Sequence, residues 1–235
     1  MLWFFRLIKI LFLAAAGLVL LYQVGVLILV IWYSAYNPSS TAIMQQTLRE
    51  LRREDPEATL KHQWVPYDQI STHLKRAVVA SEDSNFINHG GVEWQDILRA
   101  WEYNRSQAAK GSNKMRGGST ISQQLAKNLF LSNSRSYIRK GQELIITYMI
   151  ELTMDKERIL ELYLNFAQWG TDVFGAQAAA RHYYKRDASE LGRSQAARLA
   201  VMLPRPAYYD RNRNTRYLQS RSITIQKRMQ LVEVP

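Results

Sequence analysis

The chain has 235 residues, no cysteine and a formal net charge of +11. The absence of thiols excludes disulfides, a Cys-ligated zinc site and a thiol nucleophile. The positive balance suits anionic lipid headgroups or phosphate-bearing substrates, and a membrane span at the N-terminus makes either a better fit than nucleic acid.

Residues 10–33 run for 24 positions without a formal charge. As a helix this run spans about 36 Å, more than the roughly 30 Å hydrocarbon core of a bilayer. Trp3, Phe4 and Phe5 at one end and Trp32, Tyr33 and Tyr36 at the other suit the two interfaces. Arg6 and Lys9 precede the span and no acid occurs before Glu50, so the tail 1–9 is expected in the cytoplasm and the remainder exported. Ala14-Ala15-Ala16 offers the small residues of a signal-peptide cleavage site, but the apolar stretch continues too far beyond them, which favours an uncleaved single-pass anchor. Past the span lie 29 of the 31 Lys and Arg and all 20 Asp and Glu, a net +9. That stretch is long enough for one globular domain with a sizeable core.

From there the pattern is helical nearly throughout, and the fold class is all-α. Apolar periodicity and capping residues predict helices over 68–82, 94–109, 120–131, 135–154, 156–165, 173–184, 193–202 and 215–232, with Ser119, Ser134 and Asp155 as N-caps. Between 106 and 118 the composition turns polar, basic and Gly-containing, which predicts a mobile loop.

Four segments carry chemistry. Glu82 and Asp83 follow the apolar run Ala77-Val78-Val79-Ala80. A carboxylate that ends an apolar helix is partly desolvated, which disfavours its charged form and raises its pKa toward the proton-transfer range. Glu82 is therefore the catalytic candidate and Asp83 a cap or orienting residue, although alone the pair also fits a plain helix end. His89 reads as a hydrogen-bonding partner near Glu82. The second segment is Gly117-Gly118-Ser119-Thr120-Ile121-Ser122-Gln123-Gln124-Leu125-Ala126-Lys127-Asn128. Its glycines let the backbone approach a ligand, and the helix start that follows favours an anion such as phosphate. Ser119, Gln123 and Lys127 stand at i, i+4 and i+8, apart from the stripe of Ile121, Leu125 and Leu129. A capped amphipathic helix facing water fits the same pattern, and the P-loop spacing is absent. In the third segment Arg139 and Lys140 lie four and three residues before Glu143, so both cations can flank its carboxylate, as they would in a surface salt-bridge triplet. The fourth, 156–165, is a helix whose Ile159, Leu162 and Tyr163 face the core and support the site. The histidines His62, His73, His89 and His182 never fall at metal-ligand spacing.

Taken in order, Glu82-Asp83-x-x-Phe86-x-x-His89-x-Gly91, the Gly117 to Asn128 segment, Arg139-Lys140-x-x-Glu143 and Lys156-x-x-Ile159-Leu160-Glu161-x-Tyr163-Leu164-Asn165 resemble the successive motifs of the peptidoglycan glycosyltransferases. This is glycosyltransferase family 51, the family of the penicillin-binding-protein transglycosylase domain. Gly175-Ala176, Ala179-Ala180, Tyr183-Tyr184-Lys185 and Leu203-Pro204 resemble its fifth region, so the match runs over about 66–209. Ser122 stands for a usual Thr, Tyr184 for Phe and Gln195-Ala196-Ala197 for Glu-Ala-Ala. With no Ser-x-x-Lys and no Lys-Thr-Gly, the transpeptidase half is missing, and the chain is similar to monofunctional members.

The resemblance implies a lysozyme-like, two-lobed helical glycosyltransferase domain over 66–235, behind a membrane-proximal linker and helix over 34–65. It implies polymerisation of lipid II into β-1,4-linked glycan strands with release of undecaprenyl diphosphate, in cell wall biosynthesis. Glu82 would be the base on the acceptor 4-hydroxyl in an inverting transfer. Glu143 would be the second catalytic residue, holding a divalent ion, Mg or Mn, or the cations that face the diphosphate; no organic cofactor is implied. Ser119, Gln123, Gln124, Lys127, Arg139 and Lys140 would bind substrate, with Arg99 a further candidate. The implied setting is the bacterial inner membrane with a periplasmic domain, and the implied partners are lipid II, the growing strand, the bilayer, and division or elongation proteins. Two other classes fit parts of the pattern: a membrane-anchored lysozyme-like lytic enzyme, which would need no diphosphate-binding cations, and a non-enzymatic basic membrane scaffold.

Overall fold

A single helix, α1 (Leu2–Ala35), opens the chain in the computed structural model, which describes residues 2–112, 117–134 and 136–235. It is long and apolar enough to cross a membrane. It outruns the predicted 10–33 at both ends because no helix breaker flanks that run until Asn37-Pro38, where proline cannot continue a helix. The elements that follow are α2 (Ala42–Leu51), β1 (Lys61–His62), α3 (Thr72–Glu82), α4 (Trp94–Ala109), α5 (Ile121–Phe130), α6 (Tyr137–Thr153), α7 (Lys156–Phe166), β2 (Val173–Phe174), α8 (Ala176–Tyr184), α9 (Arg193–Met202), α10 (Pro206–Arg211) and α11 (Arg216–Arg228). The all-α reading stands: among the described residues the one sheet is the parallel pairing of the two-residue strands β1 and β2.

Local chemistry moved several boundaries. Thr120, not Ser119, caps α5: its hydroxyl accepts from the Gln123 N–H, and the Gln123 amide oxygen accepts from the Thr120 N–H, closing a capping box. Ser136 replaces Ser134 as the cap of α6, accepting from the Arg139 N–H, while Asp155 caps α7 as predicted. The predicted helix over 173–184 begins only at Ala176, because Gly175 has φ +84° and a Cβ there would stand 2.6 Å from the Asn165 carbonyl oxygen. The predicted loop over 106–118 starts later, since α4 continues to Ala109. Its residues 113–116, and Arg135 at the predicted start of α6, lie outside the described residues.

Helices α3, α9 and α11 pack as one group, while α5 packs on α2, α6 and α7, and α1 lies along α6. One core joins both groups, with Trp169, Tyr163, Phe86, Phe166 and Phe174 fully buried within it. Between them the C-terminal end of α3, the N-terminal end of α5 and one side of α11 wall a cleft of about 460 Å³. Gly118 closes it against α4, where a Cβ would come within 3.1 Å of the Asp96 carbonyl oxygen and the Ile97 Cα.

Candidate active site

Glu82 ends α3 in this cleft, where its Oε2 accepts from Gln124 Nε2 at 3.0 Å. Burial pushes its carboxyl above the ordinary Glu range; the hydrogen bonds from Gln124 and Ser81 and the charge of Arg221 counter this. Gln124 is in turn oriented by Tyr163, whose hydroxyl donates to Gln124 Oε1 at 3.0 Å. Burial pushes the Tyr163 hydroxyl well above its usual range, so it stays a donor and leaves the Gln124 amide N–H groups facing Glu82. The fourth motif thus supports the first through the second.

Asp83, beside Glu82 in the cleft lining, is occupied by structural partners. Its buried carboxylate accepts from His89 Nε2 at 2.9 Å and from the Ile121 backbone N–H at 2.9 Å, tying the end of α3 to the first turn of α5. Gly91 N–H donates to His89 Nδ1 at 2.9 Å, which assigns the ring proton to Nε2. His89 is therefore a structural partner, as expected, but of Asp83 rather than of Glu82. Beneath them Glu151 accepts from Lys156 at 2.8 Å, and Lys156 also donates to the His89 carbonyl at 2.7 Å, so α6 and α7 hold the same loop. Asp83→Asn would set an amide N–H against a ring N–H and lose a charge-assisted bond. It is expected to lower stability by about 2 kcal/mol in a denaturant melt with an unchanged slope.

The predicted cations converge on the second carboxylate. Glu143 is 3% exposed; its Oε2 accepts from Arg139 Nη1 at 2.6 Å and its Oε1 from Lys140 Nζ. Lys140 also donates to Ser119 Oγ at 3.2 Å, and Ser119 lines the Glu82 cleft. Lys127 stands in the same field: burial pushes its ammonium below the usual Lys range, Glu143 opposes that shift, and Arg139 and Lys140 add to it. A divalent ion on Glu143 does not fit this donor set. Its carboxylate already lies between two cations, and no group of three or more His, Asp or Glu side chains able to hold a metal stands among the described residues.

Two predicted binders are placed elsewhere. Gln123 is 1% exposed and its amide closes the α5 capping box, so it points inward and Gln124 takes the cleft position. Arg99 is bound to Asp96 at 2.6 Å on an exposed turn of α4; Asp96 lines the cleft and Arg99 does not. Conversely, Tyr217, Arg221 and Arg228 of α11 line it and were not anticipated. Their spacing of four and seven puts them on one helix face, but nothing local says which way that face turns.

A desolvated carboxyl in a cleft, linked through Ser119 to a cluster of cations around a second carboxylate, is an arrangement that suits group transfer on an anionic substrate. The chain belongs to the transglycosylase family, whose family model matches residues 45–230. Among its relatives, the biosynthetic peptidoglycan transglycosylase of Bordetella pertussis (strain Tohama I) is 63% identical over 231 residues, covering 98% of this chain and 96% of the relative. Proteins of the same name from Bordetella avium and Herminiimonas arsenicoxydans are 59% and 54% identical over 218 residues, covering 93% of this chain and 91% and 93% of the relatives.

Proposed function

We propose that this enzyme polymerises lipid II at the Glu82 cleft, with Glu82 as the base and the Glu143-centred cations holding the diphosphate. The chain is a glycosyltransferase of peptidoglycan synthesis, and its substrates are lipid II and the glycan strand. In the proposed step the Glu82 carboxylate takes the proton of the acceptor 4-hydroxyl as that oxygen attacks the donor anomeric carbon from the face opposite the diphosphate. The bond from that carbon to the diphosphate oxygen breaks, its electron pair leaves with the diphosphate, and the anomeric centre inverts. Charge then accumulates where Lys127, Arg139 and Lys140 stand, a placement that favours the transition state over the ground state. Glu143 gathers these cations in this reading.

The observation that supports this reading is Ser119, which lines the Glu82 cleft and accepts from Lys140, linking the cleft to the cations that stand just outside its lining. Arg221 and Arg228 add positive charge on the opposite wall.

The enzyme sits in the inner membrane in this proposal, spanned once by α1, with residues 1–9 cytoplasmic and the catalytic domain periplasmic. Supporting this are the charge-free run, the basic N-terminal flank, and apolar side chains left bare on α6 beside α1, with Tyr137 98% and Ile138 88% exposed. The lipid-facing stretch before Tyr22 touches little of the domain and is where division or elongation proteins would bind.

Incubating the full chain with labelled lipid II tests the reaction. Polymer is expected; no polymer together with shortened strands from preformed glycan would instead establish a lytic enzyme of similar fold.

A further inference from the structure

We propose that Gln142 is a positioning residue: its amide pairs reciprocally with that of Gln23 on α1, and this pair sets the pose of the α6 segment that carries Arg139, Lys140 and Glu143. The inference rests on the membrane span and diphosphate roles proposed above.

Gln23 Nε2 donates to Gln142 Oε1 at 2.7 Å, and Gln142 Nε2 donates back to Gln23 Oε1 at 3.0 Å. Gln23 is the single amide side chain in 10–33 and lies 14 residues past Lys9. That distance is about 21 Å along a helix, inside a hydrocarbon layer of roughly 30 Å. Where the domain meets α1 the two amides are part-buried, and by exchanging both bonds they satisfy each other.

The contact is one of several along the second half of α1. Val26 and Val30 are buried against the domain, and Tyr33 stacks on Phe130 with centroids 5.9 Å apart. At the end of the helix Arg158 donates to the Tyr33 carbonyl at 2.8 Å and to the Tyr36 carbonyl at 3.0 Å, satisfying orphan carbonyls at the negative end of the dipole. The anchor is therefore docked, not a slack tether. Gln142 adjoins Glu143, so any slip of α1 along α6 moves the carboxylate that gathers the cations.

The test uses the full chain in phosphatidylethanolamine–phosphatidylglycerol nanodiscs, with Gln23→Leu, Gln142→Leu and the double variant. Each single change is expected to raise the KM for lipid II about tenfold, the worth of one or two part-buried hydrogen bonds, with little change in kcat. The double variant is expected to be no worse than either single, and to melt above both, because each single leaves one part-buried amide without its partner. Additive effects on KM, or lowered melting with KM unchanged, would overturn the proposal, the latter leaving the pair a structural staple. If the parent protein makes no polymer, the proposed function fails separately, and lipid II affinity on the same discs still judges the pair.

Discussion

Glu82→Gln is expected to slow polymerisation by about 10²- to 10⁴-fold, the range a positioned general base contributes, while the fold remains at least as stable as the parent. The amide keeps an oxygen that can accept from Gln124 Nε2 but cannot take the acceptor proton. The stability expectation follows from the direction of the Glu82 shift. Burial raises its folded-state pKa above the unfolded value, so ionisation costs the folded state. That cost is absent below the unfolded-state pKa, grows as pH rises toward the folded-state pKa, and is complete above it. The Gln variant should therefore match the parent in melting at low pH and exceed it at neutral pH. By the same shift, the parent's kcat/KM should fall on the acid side at a pH above the ordinary Glu range. Full activity in Glu82→Gln, or an acid limb at the usual carboxylate pH, would remove Glu82 from the role of base.

Glu143→Gln is the second large effect, expected to cut kcat/KM for lipid II by about 10²- to 10³-fold, the scale of losing one preorganised electrostatic element. Without the carboxylate, Arg139, Lys140 and Lys127 repel one another and no longer share the pose that Ser119 reports. The stability loss should stay below the roughly 3–5 kcal/mol of a fully buried broken pair, because the Arg139 and Lys140 side chains remain 18% and 43% exposed. Glu143→Asp should recover only part of the rate, since a shorter side chain cannot reach both cations. A divalent ion held by Glu143 would give a different signature, with parent activity lost to a chelator and restored by Mg or Mn.

Much of this site is legible in residue order. Glu82 after an apolar run, Asp83 beside it and two cations one turn before Glu143 are local facts, and helical geometry converts them into neighbours without any tertiary information. Gln123 shows one local signal overriding another, since Thr120-x-x-Gln123 is also a capping-box pattern. Its spacing from Ser119 and Lys127 places it on a polar face, yet its amide is taken by the Thr120 N–H, because an unpaired donor at a helix start is a nearer and stronger claim than a ligand. Arg99 differs, having an acid three residues away that satisfies it on an exposed turn.

What the sequence alone determined was the helical class, the charge-free N-terminal helix, the motif order and the local settings of Glu82 and Glu143, since each depends on composition or on spacing within one helix. Only the tertiary structure decided that Tyr163 aims Gln124 at Glu82, that α11 brings Arg221 and Arg228 to the opposite wall, and that α1 docks through Gln23. The physical reason is common to all three. A side chain's direction from its own helix follows from its place in the repeat, but the partner that meets it comes from a segment tens of residues or more away, and the packing of separate helices, not local spacing, determines that meeting.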